Sequence, residues 1–506
     1  MPVRPSISLP SHRALPADSM APGRAVWISA AIVVIWALWA VVFNTAQFGD
    51  NIEQFNWAQS LELGYHKHPP LPSWLLGATI RLFGPLVYWA YALATLCLLG
   101  TMAFTWAIGR ELLGDRVAAA AVVLWGLNLT FSQRAQLYNH NTVLVLCIAA
   151  TVWFAMQATR ASGGTMGWWA ATGVGAGAAL LSKYQAAVPL AGLLLALGWA
   201  GRLRRPAQWA GLSLALGVMV LVFAPHALWV TQHDFSTLRY ASDAIESANL
   251  THRLGFIVSF IANQLRIWFP ALLAIGVCWA LARWLPVAPR RAPASEAAAA
   301  SEFQPWTFGL VWGGVLALML MALAGGVSLR NHWGVQALQF FCLWLAYRWD
   351  RRAPIDLRRL VWVALCVHAA SLAWYATEHH DPTRVLSNRR IDTLYPARRL
   401  ARSAVAHWTA TTSCPLRFVA GTVFDAGLVS LYSGGRLEVF DTENATPWVR
   451  FEDLQQHGAL YVLDEDDAVP PGVTHVVEFD LVPGVHGAAP AKIIRLGVLM
   501  PQRACP

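Results

Sequence analysis

Asp50 stands in Gln47-Phe48-Gly49-Asp50-Asn51-Ile52-Glu53, directly after a long apolar stretch, and a second acid, Glu53, follows about one helical turn later. Ile52, Phe55, Ala58 and Leu61 recur three apart while Asn51, Gln54, Gln59 and Glu62 take the other side, so Asn51 to Leu63 is expected to lie along a membrane surface as an amphipathic helix. Next comes Gly64-Tyr65-His66-Lys67-His68-Pro69-Pro70-Leu71-Pro72. Its consecutive prolines bar a helix interior and force a rigid turn, which is expected to aim His66, Lys67 and His68 into the same cleft as Asp50. A carboxylate accepts a proton, and an ammonium beside imidazoles meets an anion; the pairing suits proton transfer next to an anionic group at the lipid-water boundary. The competing reading of Asp50 is a solvated boundary carboxylate that caps the helix starting at Asn51.

The elements that must carry these groups are membrane spans. The chain has 506 residues, of which 56% are hydrophobic and 13% charged, with a mean hydropathy of +0.44, too apolar for a soluble protein of this size. Crossing a hydrocarbon core takes about 20 apolar residues. About eleven stretches approach that length, near 25–44, 85–108, 117–132, 142–159, 166–182, 185–200, 208–230, 254–281, 306–325, 334–348 and 360–377. The formal charge of +9 does not point to nucleic acid, because the arginines sit in short runs between apolar stretches. With residues 1–24 as a cytoplasmic tail and 25–44 as a retained helix, alternate loops carry Arg110 and Arg116, then Arg160, then Arg202, Arg204 and Arg205, then Arg283, Arg290 and Arg291, then Arg348, Arg351, Arg352, Arg358 and Arg359. That is a positive-inside bias. The opposite loops, 45–84, 133–141, 183–184, 231–253 and 326–333, hold the His, Asn and aromatic residues. Residues 285–305, rich in Ala, Pro and Ser, read as a cytoplasmic linker.

The fold class expected is therefore a polytopic α-helical membrane domain over 25–377, followed by a small C-terminal α/β domain over 378–506 on the periplasmic side. In that tail the apolar runs shorten to strand length at Leu416–Ala420, Leu437–Phe440, Ala459–Leu463, His475–Phe479 and Lys492–Leu499, with helix-like segments at 424–432 and 450–457. Five of the seven cysteines lie in apolar spans as small packing residues, while Cys414 and Cys505 near the ends of the tail can pair in an oxidising compartment.

An aspartate just after the first helix, then Gly64-Tyr65-x-x-His68-Pro69-Pro70-Leu71, resembles the bacterial protein-mannosyltransferase and aminoarabinose-transferase family of the type C glycosyltransferase superfamily. Leu181-Ser182-Lys183-Tyr184 and Trp229-Val230-Thr231-Gln232-His233-Asp234 resemble further stretches of its bacterial members. The resemblance covers roughly 25–380. It implies a lipopolysaccharide- or protein-modifying enzyme of the bacterial inner membrane. Such an enzyme moves a sugar from a polyprenyl phosphate to a glycolipid, glycan or protein acceptor, with Asp50 as general base and inversion at the anomeric carbon. Under it, Glu53, His66, Lys67, His68, His140, Asn141, Lys183, Tyr184, Arg330 and His332 are expected to meet the donor phosphate or substrate. His233 and Asp234 would hold a divalent ion if one is used; no cofactor is otherwise implied. The bland readings are helix capping for His140 and Asn141, interfacial anchoring for Lys183 and Arg330, and a solvated loop for His233 and Asp234.

The sequence departs from the family in having Asn51 where a glutamate commonly follows the aspartate, and Tyr138-Asn139-His140-Asn141 where the second loop often supplies another acid. These departures keep a non-catalytic binder of lipid-linked glycans in view. A secondary transporter or flippase is the other alternative, although its usual repeated halves are not visible.

Overall fold

The computed structural model describes residues 20–160, 165–242, 249–285, 303–380, 392–434, 437–444, 446–482, 492–503 and 505. The expected linker 285–305 and N-terminal tail fall almost wholly outside them. The first helix, α1 (Pro22–Phe43), has Pro at its first turn, where no intrahelical N–H partner is lost. It leads through residues 44–48 into a short helix, α2 (Gly49–Trp57), and then into α3 (Leu71–Phe83). The bundle continues with α4 (Trp89–Leu113), α5 (Asp115–Gly126), α6 (His140–Arg160), α7 (Thr165–Ser182), α8 (Ala187–Trp199), α9 (Pro206–Gln232), α10 (Ser236–Ser242) and α11 (Leu250–Trp284). It closes with α12 (Phe303–Gly325), α13 (Phe341–Asp350) and α14 (Leu357–Glu378). Among the described residues seven of these helices are long and apolar enough to cross a membrane, which makes the chain a multi-pass membrane protein.

Two of the expected spans take another form. Instead of crossing over 117–132, the chain forms the 12-residue α5 and then leaves the helix at Leu127. Every residue of α5 from Val117 to Gly126 is buried, and its run of alanines lets α1, α4, α13 and α14 close in on it. Non-helical backbone at membrane depth survives only when packed in protein or lining a polar cavity. Residues 127–139 meet that condition: Leu129 N donates to the Ile267 carbonyl (3.1 Å) and Asn128 Oδ1 accepts from Thr130 N (2.9 Å). Likewise 334–348 breaks after Ala337, leaving α13 only ten residues long.

The tail forms α15 (Ala397–Thr411), α16 (Val423–Tyr432) and α17 (Phe451–His457) around a five-stranded sheet of β1 (Phe418–Gly421), β2 (Glu438–Asp441), β3 (Ala459–Asp464), β4 (Val473–Val482) and β5 (Lys492–Leu499). The order is β2-β1-β3-β5-β4, with β1 parallel to β2 and β3 and the remaining pairs antiparallel. Central β1 is apolar and wholly buried, as parallel strands covered on both faces are. Cys414 and Cys505 form a disulfide 91 residues apart in sequence. A loop of that length removes much chain entropy from the unfolded state, so Cys414→Ala should cost the domain about 2–4 kcal/mol, read as a lower thermal unfolding midpoint in detergent and as loss of the non-reducing gel shift.

Candidate active site

Asp50 lies in the first turn of α2, where the helix dipole favours a carboxylate. That helix is held from both sides. On the membrane-domain side, Asn51 is fully buried and fully used: its Nδ2 donates to Gln47 Oε1 (2.8 Å) and the Gln136 carbonyl (3.2 Å), and its Oδ1 accepts from Tyr138 N (2.7 Å). Asn51 is thus a latch between α2 and the 136–138 segment, and it does not line the cavity described below. On the other side the C-terminal domain grips α2: Asn56 Nδ2 donates to the Val423 carbonyl (2.8 Å), Gln59 Nε2 to the Leu437 carbonyl (3.0 Å), and Gly49 N to Asp392 Oδ2 (3.0 Å). Gly427 of α16 sits so close that a Cβ on it would lie 2.4 Å from Ile52 Cγ2.

The proline turn is fixed by Tyr65, whose hydroxyl donates to the Ser60 carbonyl (2.6 Å) and whose ring stacks on Trp57 at 4.9 Å. Asp50, Glu53, Lys67, His68, His140, Asn141, Lys183, Tyr184, Arg330 and His332 all line one cavity of about 1140 Å³. Arg134, Asn139 and Tyr240, not proposed as site residues from sequence, join them, and Arg266 of α11, an intramembrane cation expected to face a polar cavity or a partner, lines the same cavity. His66 is the exception among the candidates of this turn. It is not in the lining but packs edge-on against Trp57 at 5.6 Å. Its imidazole is held neutral, with a pKa pushed down to about 4 by burial and by Lys67.

Within the cavity the acids differ. Glu53 is paired to Lys67 at 2.7 Å. Its own burial raises the Glu53 carboxyl against the pull of Lys67; burial works against the Lys67 ammonium, but Glu53 outweighs it and raises the pKa. Asp50 instead accepts a hydrogen bond from Asn139 Nδ2 (2.7 Å) and makes no ion pair among the described residues. Asn139, not His140 or Asn141, caps α6: its Oδ1 accepts from the N–H groups of Asn141 (2.9 Å) and Thr142 (3.1 Å). Asn141 Oδ1 in turn accepts from Lys183 Nζ (3.0 Å).

Lys183 lies in the break between α7 and α8 and is buried without a carboxylate partner among the described residues. Burial pulls its pKa down to about 8, with the Asp50 charge opposing. His332 is pushed down to about 3, by burial and then by Lys183, Arg330 and Arg134, and His68 is lowered by burial and its neighbour His140, whose ring lies 4.1 Å away. With these imidazoles neutral, Lys183, Arg134, Arg266 and Arg330 are the cations of the lining without an ion pair among the described residues. His140 Nε2 is buried and has no hydrogen-bond partner among the described residues.

Tyr184 is tied into the wall. With His226 Nδ1 donating to the Leu63 carbonyl (2.7 Å), its Nε2 accepts from the Tyr184 hydroxyl (2.7 Å), and Thr237 lies 2.8 Å from the same oxygen. His233 and Asp234 stand apart from the cavity lining; His233 Nδ1 donates to the Trp229 carbonyl (2.8 Å) and its ring stacks on that indole. Among the described residues no three His, Cys, Asp or Glu side chains converge as a divalent ion requires.

The described structure thus combines a helical membrane domain, a small sheet domain and a cation-lined cavity that Asp50 faces. Residues 67–229 match the family described as dolichyl-phosphate-mannose-protein mannosyltransferase. The chain is 25% identical over 327 residues to the lipid A galacturonosyltransferase RgtD of Rhizobium johnstonii, covering 59% of this chain and 66% of that one. It is 26% identical over 303 residues to the lipopolysaccharide core galacturonosyltransferase RgtB of the same organism, covering 58% and 59%. The matches thus span less than two thirds of these relatives' length, 66% and 59%. The crystal structure of ArnT from Cupriavidus metallidurans bound to undecaprenyl phosphate superposes on 96% of this chain and 100% of that one, with a TM-score of 0.55 and 16% identity. Residues 67–229 thus resemble the protein-mannosyltransferase family, and the chain as a whole has the fold of ArnT.

Proposed function

We propose that the protein transfers a sugar from a polyprenyl-phosphate carrier to a glycolipid of the lipid A or lipopolysaccharide-core type. The reaction runs at the periplasmic face of a bacterial inner membrane, where the C-terminal domain then also lies. The observation that carries this reading is Asp50, a carboxylate without an ion pair among the described residues, facing a cavity that Lys183, Arg134, Arg266 and Arg330 line, likewise without one among those residues. Asp50 takes the proton of an acceptor hydroxyl as that oxygen bonds the anomeric carbon. The carbon–oxygen bond to the carrier breaks on the opposite face, and the electron pair leaves on the phosphate, inverting the centre. The departing phosphate changes from a singly charged diester to a more highly charged monoester. Lys183 and the arginines therefore stabilise the transition state more than the ground state.

A neutral sugar on a diester donor brings one negative charge to a cavity with a larger cationic excess. A uronic acid adds the second, and the galacturonosyl transfer named for the two relatives supports the same choice. The test is transfer from radiolabelled polyprenyl-phosphate galacturonate, galactose and aminoarabinose in membranes holding the protein. Label moving from the uronosyl donor to glycolipid is expected. Equal use of the galactosyl donor would overturn the acidic sugar, and no transfer from any donor above control membranes would turn the reading to a lipid-linked-glycan binder or a transporter.

The grip of the C-terminal domain on α2 gives a second check. Gly427→Val must push Ile52 and α2 aside, and transfer should fall roughly tenfold or more, since displacements near 1 Å at a reacting group have large kinetic effects. Membrane insertion and the Cys414–Cys505 disulfide should be retained, as a non-reducing immunoblot would read.

A further inference from the structure

We infer that Asn139 is a positioning residue for the transfer reaction, its side-chain amide dedicated to holding the Asp50 carboxylate; the inference rests on the glycosyl-transfer reading above. The orientation of the amide is forced. Asn139 Oδ1 is occupied by the Asn141 and Thr142 N–H groups at the start of α6. Only Nδ2 is left to face Asp50, and it lies 2.7 Å from Oδ2. Asn139 is buried, while Asp50 opens to the cavity. Its frame is rigid on both sides: it caps a 21-residue helix, and Asn51 pins the preceding Gln136 and Tyr138 to the very helix that carries Asp50. Donor and acceptor thus sit on two segments cross-linked by independent bonds. With Oδ2 engaged, Oδ1 is the oxygen that receives the acceptor's proton.

The choice of amide over acid at this position has its own chemistry. An aspartate at 139 would keep the cap through one oxygen but set its other oxygen where Nδ2 now stands, and two carboxylates at that separation share a proton. The amide fixes Asp50 without that competition.

The test uses the full chain in proteoliposomes, with pH profiles for wild type, Asn139→Ser and Asn139→Asp. Serine is a good helix cap but lacks the amide. Asn139→Ser should lower kcat about 100-fold while the KM for the donor stays within about twofold of wild type. Asn139→Asp should move the acidic limb of the kcat/KM profile upward by about one pH unit or more, with activity returning as the pair loses its proton. A role confined to capping α6 would reduce the folded protein recovered without moving that limb. A wild-type kcat in Asn139→Ser, or an unmoved limb in Asn139→Asp, overturns the inference. Asp50→Asn in the same assay separates the two levels: if it is inactive while the Asn139 variants behave as wild type, only the inference about Asn139 fails. If Asp50→Asn is fully active, the assignment of the base fails with it.

Discussion

Asp50→Asn should lower sugar transfer roughly 10²–10⁴-fold, the range that loss of a general base produces, with the protein still inserted and its disulfide intact. The substitution keeps the shape of the side chain and the position of α2, because Asn51, Gly49, Asn56 and Gln59 hold that helix independently. What it removes is the ability to take a proton. Glu53 does not replace it, since that carboxylate is committed to Lys67 at 2.7 Å. The measurement is label transferred from the donor to glycolipid in membranes matched by immunoblot. Equal rates for wild type and variant would remove Asp50 as the base. Glu53→Gln is a graded control, expected to act through Lys67 and to have the smaller effect.

Asp50 was legible because the signal is local: an acid just past an apolar helix, followed by a turn that consecutive prolines make rigid. The strands of the tail were legible for the same reason, as short apolar runs, and the expected Ala459–Leu463 and Lys492–Leu499 lie within or coincide with β3 and β5. Asn51 shows where local reading stops. As a departure from a pair of acids it suggested lost chemistry, yet its buried amide is a structural latch whose partners, Gln136 and Tyr138, are 85 and 87 residues away. Asn139 was hidden for the same reason, since its meaning lies in a bond 89 residues distant in sequence. Arg134 fell in the outer loop 133–141, just past the span expected over 117–132, and was not singled out there. The helix there stops early because α5 is walled in by protein, a tertiary fact that no window of residues contains. Nothing in the tail's composition marked Gly427, whose lack of a side chain matters only because Ile52 lies against it.

Lys183→Met should reduce kcat/KM roughly 10²–10³-fold, the loss that follows removal of one preorganised group facing a developing anion. Among the four cavity cations without an ion pair among the described residues, Lys183 is the one linked towards Asp50: Asn141 accepts its hydrogen bond at 3.0 Å, and Asn141 adjoins the cap that Asn139 makes while holding Asp50. Its buried ammonium also carries a pH signature. With a pKa pulled down to about 8, it is charged at neutral pH and loses its proton as the pH rises through that value. The wild-type kcat/KM, which reports the free enzyme, should therefore fall on the alkaline side with a limb near 8. Bound donor adds negative charge beside the ammonium and favours its protonated form, so the corresponding limb in kcat should lie at higher pH. Lys183→Arg keeps the charge at every pH of the assay but replaces a compact ammonium with a planar fork that fits the Asn141 contact poorly. Its activity should be lower than wild type at pH 7 and free of the alkaline limb. A limb that persists unchanged in Lys183→Arg would mean that another group titrates there and that Lys183 holds the wall, not the phosphate.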